Sequence, residues 1–307
     1  MTTSDSIDSV PAKPLRQERI PLAIGYMVAA GIVFSVSSAL SKLLVETYPV
    51  GEVLFSRALF GLIGCAAFIL PMTGLAVFHT RRHGAHVIRS VSQTTSQTLL
   101  LIAFSMMPLA SATAINFSAP LFATLASAYF LKEHVGAARA VALVVGFIGV
   151  LIVTQPGADT FQIGALYALG NAVLFGTVTA GVRGMTATES SETLTLYQLS
   201  LLSLIFGLSL PFAFVMPDGI GLIWMIVCGV GNGIGQYWWT RAIHMAPTAA
   251  VVPFSYLSLV WAALLGFAIW GDMPTWSLVV GSATLVGSGI FLLWRESRPK
   301  VVVEPAE

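Results

Sequence analysis

Two positive charges, Lys42 and Arg57, sit inside long apolar stretches of this 307-residue chain. An ionisable side chain in hydrocarbon costs roughly 2.5–3.5 kcal/mol on insertion scales, so each needs a reason to be there. Arg57 follows Glu52 on the same apolar run, about 7–8 Å further along a helix. A guanidinium at that depth can hold a carboxylate or phosphate in a two-pronged grip. It can equally form a structural pair with Glu52 or Glu46. Lys42 can serve the same kind of ligand, or pair with Glu46 one helical turn on.

Amides form a second pattern. Gln93 and Gln97 share one helix face, and Asn232 and Gln236 repeat that spacing. Such pairs can read the polar groups of a ligand, or hydrogen-bond between helices for about 0.6–2 kcal/mol each. Pro120 removes the helical hydrogen bond to the carbonyl of Asn116, and Pro253 does the same for Ala249. Each site is then a ligand-binding helix break or a plain kink. Trp239 and Tyr256 can stack on a flat ligand, or serve as packing. Gly231, Gly233 and Gly235 continue an alternation begun at Gly229. No strand precedes them, so a dinucleotide loop is ruled out, which leaves a hinge or close helix packing.

The elements that must position these groups follow from composition. Hydrophobic residues make up 56% of the chain and charged residues 9%, with 15 basic and 14 acidic side chains. A soluble domain carries roughly 25% charge. A water-soluble fold, disorder and a nucleic-acid surface are all excluded on this basis. The two cysteines, Cys65 and Cys228, lie in apolar runs and imply no disulfide framework. No metal-ligating spacing occurs and no cofactor is implied.

A bilayer core of roughly 30 Å needs about 20 apolar residues per helix. That ruler gives ten spans, near 22–45, 50–73, 88–107, 109–131, 140–155, 162–182, 193–215, 220–243, 247–270 and 275–294. The expected fold is an all-α polytopic membrane protein. With the N-terminus inside, all but two of the 15 Lys and Arg residues fall in cytoplasmic segments. The two exceptions are Lys42 and Arg57. This distribution follows the positive-inside rule and predicts both termini cytoplasmic. Trp270, Trp276 and Trp294 at span ends read as an interfacial belt. His79, His83 and His86, with Arg81 and Arg82, read as a solvated cytoplasmic loop. Arg89 is counted with the same cytoplasmic charges.

An internal repeat organises the spans. Shifting the chain by about 139–141 residues pairs Phe34 with Phe175, Lys42 with Arg183, Glu52 with Glu192 and Gln93 with Asn232. It also pairs Gln97 with Gln236, Pro108 with Pro247, Glu133 with Asp272 and Gly146 with Gly287. Each half then has five spans, an odd number, so the second enters the membrane inverted. That is the plan of many secondary transporters, with a site near the midplane between the halves. The predicted division is a tail over 1–20, repeats over 21–155 and 156–296, and a tail over 297–307.

Several stretches also resemble a known family. They are Met107-Pro108-Leu109-Ala110, Ala119-Pro120-Leu121-Phe122, Lys132-Glu133 and Gly146-Phe147-Ile148-Gly149-Val150. Ala246-Pro247, Pro253-Phe254-Ser255-Tyr256-Leu257 and Gly271-Asp272 echo them. Over about residues 22–296 the chain is similar to the drug/metabolite transporter superfamily, of the type built from two EamA domains. The resemblance implies ten helices in two inverted repeats and transport of small metabolites across a bacterial inner membrane. Lys42 and Arg57 match positions where that family often carries Lys and Arg. Many relatives have an acid where Ser255 stands.

The reading expected from sequence is alternating-access transport of a small molecule by a bilayer-embedded monomer or homodimer. Export of an amino acid or related carboxylate leads, because Lys42 and Arg57 favour anions. The alternative is uptake of a nucleoside-like, flavin-like or S-adenosylmethionine-like compound. No Asp or Glu lies deep in a span, so weak or absent proton coupling is expected. An intramembrane enzyme is the remote reading. It lacks HExxH, paired aspartates and a deep histidine, and Gly287-Ser288-Gly289 is an isolated match.

Overall fold

A computed structural model describes residues 20–131, 137–155, 163–185, 188–246 and 248–296. Within these, the side chains of 126–131, 137–139, 179–184, 248–249, 293 and 295–296 are not described. The tails, Lys132, Glu133, Pro247 and the Arg183 side chain therefore lie outside the described residues. The described residues are helical, with no strand.

The helices occupy each of the ten expected ranges. They are α1 (Ile20–Leu44), α2 (Val50–Thr73), α3 (His83–Met106), α4 (Leu109–Asn116), α5 (Ala119–Leu131) and α6 (Ala137–Thr154). The second half follows with α7 (Gly164–Met185), α8 (Ser191–Gly207), α9 (Gly219–Met245), α10 (Thr248–Val251), α11 (Leu257–Trp270) and α12 (Trp276–Glu296). Local chemistry sets the ends. Ser190 caps α8 through the Thr193 N–H (3.1 Å), and Asp218 caps α9 through the Gly221 N–H (2.7 Å). The Tyr48 hydroxyl also donates to Asp218 (2.8 Å). The Gly221 N–H first, then the Tyr48 hydroxyl, hold the Asp218 carboxyl below the usual carboxylate range. Gly271 ends α11 in the left-handed region (φ 71°), which a side chain would resist.

Five helical segments are long and apolar enough to cross a membrane: Ile20–Leu44, Val50–Phe78, Ser191–Phe212, Gly219–Met245 and Val252–Trp270. Four shorter apolar helices accompany them. The outer surface is apolar as well. On α6, Val141, Val144, Ile148 and Leu151 form one exposed stripe at helical spacing. Ile88 and Val91 do the same on α3, although that helix carries the polar run Gln93–Thr98. Thr94 and Thr98 in that run donate to the carbonyls one turn back (2.8 and 2.9 Å), so their hydroxyls are satisfied within the helix.

Helix packing reproduces the repeat. The α1–α9 contact has its counterpart in α7–α3, and α2–α9 in α8–α3. The α5–α7 contact corresponds to α11–α1, while α2–α8 and α6–α12 map onto themselves. The two halves are thus interleaved, with α3 of the first packed on α7 and α8 of the second and α9 of the second packed on α1 and α2 of the first.

The alternating glycines of α9 now have a packing reason. A Cβ on Gly233 would meet the Gly61 carbonyl of α2 at 2.6 Å, and one on Gly231 would meet Ser37 Oγ of α1 at 3.1 Å. Gly229 and Gly233 face α2 while Gly231 and Gly235 face α1. The helix runs unbroken through all of them. Of the two readings, hinge or close helix packing, these contacts support close packing on two sides at Gly231, Gly233 and Gly235.

The core is divided unequally along the bundle. At the end holding residues 45–49, 107–108, 208–218 and 271–275, one cluster joins both halves. It includes Leu40, Leu44, Leu54, Leu101, Leu109, Ile115, Leu202, Phe206 and Met225. At the opposite end the described residues form separate clusters. One is Ala23, Met27, Ala242, Ala246 and Val251, another is Cys65, Ile69, Val77, Leu196 and Leu199, and a third centres on Leu121 and Leu143.

Candidate functional site

A cavity of about 230 Å³ lies between the halves. Its floor, at the sealed end, includes Phe104 and Thr113. Its walls extend to Met27, Arg89, Val178 and Trp239, each about two turns from the opposite helix ends.

Seven of the residues singled out by sequence line it: Arg57, Gln93, Gln97, Asn116, Asn232, Gln236 and Trp239. Repeat mates face each other here. Gln93 with Asn232, Gln97 with Gln236, and Phe34 with Phe175 are all in the lining. Arg57 Nη2 donates to Asn232 Oδ1 (2.8 Å), and its Nε is buried without a partner. The expected pairing of Arg57 with Glu52 or Glu46 does not form. Glu52 accepts from the Val215 N–H (2.9 Å) and Glu46 from Trp270 Nε1 (2.9 Å).

Lys42 and Tyr256 lie outside the lining. The Lys42 ammonium reaches the Met107 carbonyl (3.0 Å) and Asp272 (3.8 Å), and sits over the Trp270 ring (4.6 Å). It ties α1 to the α3–α4 and α11–α12 turns at the sealed end. Its ion-pair partner is Asp272, not the anticipated Glu46. Tyr256 packs on Phe117 in a tilted arrangement, ring centroids 4.9 Å apart, with its hydroxyl against Gly289.

The proline breaks differ in form from simple kinks. Helix α4 stops at Asn116, Phe117 and Ser118 form a turn, and Pro120 is the second residue of α5. Ser118 Oγ donates to the Ile115 carbonyl (2.6 Å) and re-satisfies part of that break. Pro253 lies in a 3-10 stretch over Val252–Tyr256, between α10 and α11.

Polar cavity residues that escaped the sequence reading include Arg89, Asn171, Gln198 and Ser258. Arg89, expected among the cytoplasmic charges, is 5% exposed within α3. It donates to the Leu194 carbonyl (3.2 Å) and, through a short bond, to the Gln198 side-chain oxygen. Asn171 donates to Asn116 Oδ1 (2.6 Å) and accepts from Ser96 (2.6 Å). Asn171 and Gln198 stand in apolar runs and show the same signal that marked Asn232. The solvated histidine loop is likewise corrected. His83 starts α3, and His86 is buried with its ring 4.3 Å from Tyr197. In this part of α3 the apolar Val87, Ile88 and Val91 are exposed, and the opposite, polar face turns both groups into the bundle.

Amides, hydroxyls, two guanidiniums and the rings of Phe34, Phe104, Phe117, Phe175 and Trp239 together make a site suited to binding. Ser288 Oγ only donates to the Leu285 carbonyl (3.0 Å).

An interleaved two-repeat helical bundle with a polar cavity between its halves defines a membrane transporter. The EamA-like transporter family model matches twice, over residues 21–155 and 162–295, and the chain belongs to that family. A riboflavin transporter of Rhizobium johnstonii is 30% identical over 89% of this chain and 91% of its own length. An S-adenosylmethionine uptake transporter of Rickettsia felis is 26% identical over 90% and 93%. A pseudopaline exporter of Pseudomonas aeruginosa is 27% identical over 86% and 93%. A solved crystal structure shares the fold at TM-score 0.63 and 20% identity, covering 90% of this chain and 99% of that one.

Proposed function

We propose that the chain takes up a flat, ring-bearing metabolite of flavin-like chemistry across a bacterial inner membrane by alternating access. Of the two cargo classes expected from sequence, this cavity supports the second best. The carrying observation is its lining, in which five aromatic rings stand among amides and both kinds come from both halves. The relatives named as riboflavin transporters agree with it. Among the described residues, no carboxylate lines the cavity and two guanidiniums do. A permanently cationic cargo such as S-adenosylmethionine therefore meets like charge, and a neutral or anionic one does not.

In this reading ten helices cross the bilayer as two inverted repeats, with both termini cytoplasmic. The sealed end then faces outward and the cavity opens toward the cytoplasm. Tight binding of riboflavin by the purified protein, read by quenching of flavin fluorescence, is the expected result. Preference for S-adenosylmethionine overturns the reading. Arg57→Ala is expected to abolish transport in protein that still reaches the membrane. Loss of the protein itself would make Arg57 purely structural. Without a cavity carboxylate to carry protons, a pH gradient across proteoliposomes is expected to change flux less than about twofold. Several-fold acceleration refutes that.

A further inference from the structure

Arg89 is the cavity residue that topology alone assigns to the membrane surface, and its surroundings resemble those of Arg57. Both guanidiniums lie in the cavity wall, and neither is paired with an acid among the described residues. Each is held instead by a side-chain amide oxygen, Asn232 for Arg57 and Gln198 for Arg89. Both bonds cross from the first half of the chain to the second. One spans the α2–α9 contact and the other the α3–α8 contact, which the repeat exchanges. Gln198 is also the residue 141 positions after Arg57, the shift that pairs Phe34 with Phe175.

Two charges placed in a bundle interior without counter-charges are costly, and a neutral amide oxygen offsets only part of that cost. A carboxylate or phosphate makes charge-assisted bonds roughly twice as strong as neutral ones, and fits the guanidinium fork. The unpartnered Nε of Arg57 leaves a donor of that fork unused. An amide is a good placeholder, since rotation about its last bond turns its NH₂ toward an incoming anion.

We propose that Arg57 and Arg89 form a split anion site, in which an anionic group on the cargo replaces the Asn232 and Gln198 oxygens. That exchange breaks two bonds between the halves whenever the anion is bound, so occupancy and unlatching are one event. This rests on the reading of the cavity as the cargo site and adds an acidic group to the flat ring. Lys42 has no part in it.

The test uses full-length protein in lipid nanodiscs and two matched probe pairs: riboflavin with its 5′-phosphate, and nicotinamide with nicotinate. The anionic member of each pair is expected to bind at least tenfold tighter. Arg89→Gln should collapse that ratio to near one, and Arg89→Lys, which keeps charge but loses the fork, should retain part of it. Gln198→Ala removes the placeholder and should increase the ratio, whereas a purely structural Arg89–Gln198 bond predicts no increase. Equal affinities within both pairs, or an unchanged ratio in Arg89→Gln, overturn the proposal. If neither flavin binds but nicotinate exceeds nicotinamide, the anion site stands and the flavin-like reading falls. If riboflavin binds without any phosphate preference, the opposite holds.

Discussion

The two ends of the bundle are built from the same repeat yet packed differently. At one end α1, α2, α3, α4, α7, α8, α9 and α11 contribute to one large apolar cluster, with a small one of Ala110, Ala114 and Leu278 beside it and polar ties above. At the other, the described residues gather in clusters on separate sides of the cavity. Equivalent sequences of the two repeats therefore occupy unequal environments. A seal that exists in only one state stabilises that state alone. A cluster confined to one side supports both.

Truncation at each end separates these two roles and should give the largest effects. Leu109 is fully buried in the seal and Ile69 nearly so in a one-sided cluster. Either residue changed to Ala removes core volume, at a cost of about 2–5 kcal/mol. Both variants should melt at lower temperature. Only Leu109→Ala should also expose Cys228, which lies unexposed in the seal between Ser37 and Ser41. Labelling by a membrane-impermeant maleimide reads that exposure. Equal labelling of Cys228 in the two variants removes the distinction between the ends.

Much of this division was legible in sequence, for identifiable reasons. The ten apolar ranges and the near-constant offset gave the helices and their exchange, because hydrophobic length and repetition are properties of the chain itself. The amides at 93, 97, 232 and 236 declared themselves as polar groups in apolar runs. Arg89 and His86 did not, since a charge near a helix end reads as solvated until the neighbouring helix is placed. The partners of Lys42 were hidden for the same reason. Met107 and Asp272 are remote in sequence and meet Lys42 only when the halves interleave. Which end is sealed is a property of the conformation, and the repeat makes the chain neutral on that point.

Lys42 tests the polar layer above the seal. Its side chain is 12% exposed and contacts α1, the Met107 turn and the Asp272 turn together. Lys42→Met keeps the stem packed and deletes the charge, leaving a buried Asp272 oxygen that already lacks a hydrogen bond. Breaking a partly buried pair of this kind should cost the sealed state roughly 1–2 kcal/mol. About 1.4 kcal/mol is tenfold in a population, so Cys228 should label about tenfold faster from the sealed end. Transport should persist, because Lys42 is outside the cavity lining. Abolished cargo binding in Lys42→Met would return it to the binding site and erase the separation between seal and site.

The smallest effect belongs to the rim. Trp270 donates to Glu46 (2.9 Å) in an exposed position and also presents its ring to the Lys42 ammonium (4.6 Å). Glu46→Gln keeps an acceptor for the indole N–H and removes only a solvated charge, a change worth about 0–1 kcal/mol. Trp270→Phe loses the N–H and weakens the cation–ring contact, which at an exposed site is worth about 0.5–1 kcal/mol. Cys228 labelling should therefore rise less than threefold in Glu46→Gln and by somewhat more in Trp270→Phe, with both below Lys42→Met. This order follows from burial. The same charge matters more where water is excluded, so the seal's strength should grow from the rim inward to Leu109. If Glu46→Gln opens the sealed end as fully as Lys42→Met, closure is governed by rim electrostatics, and the buried cluster follows it rather than leads.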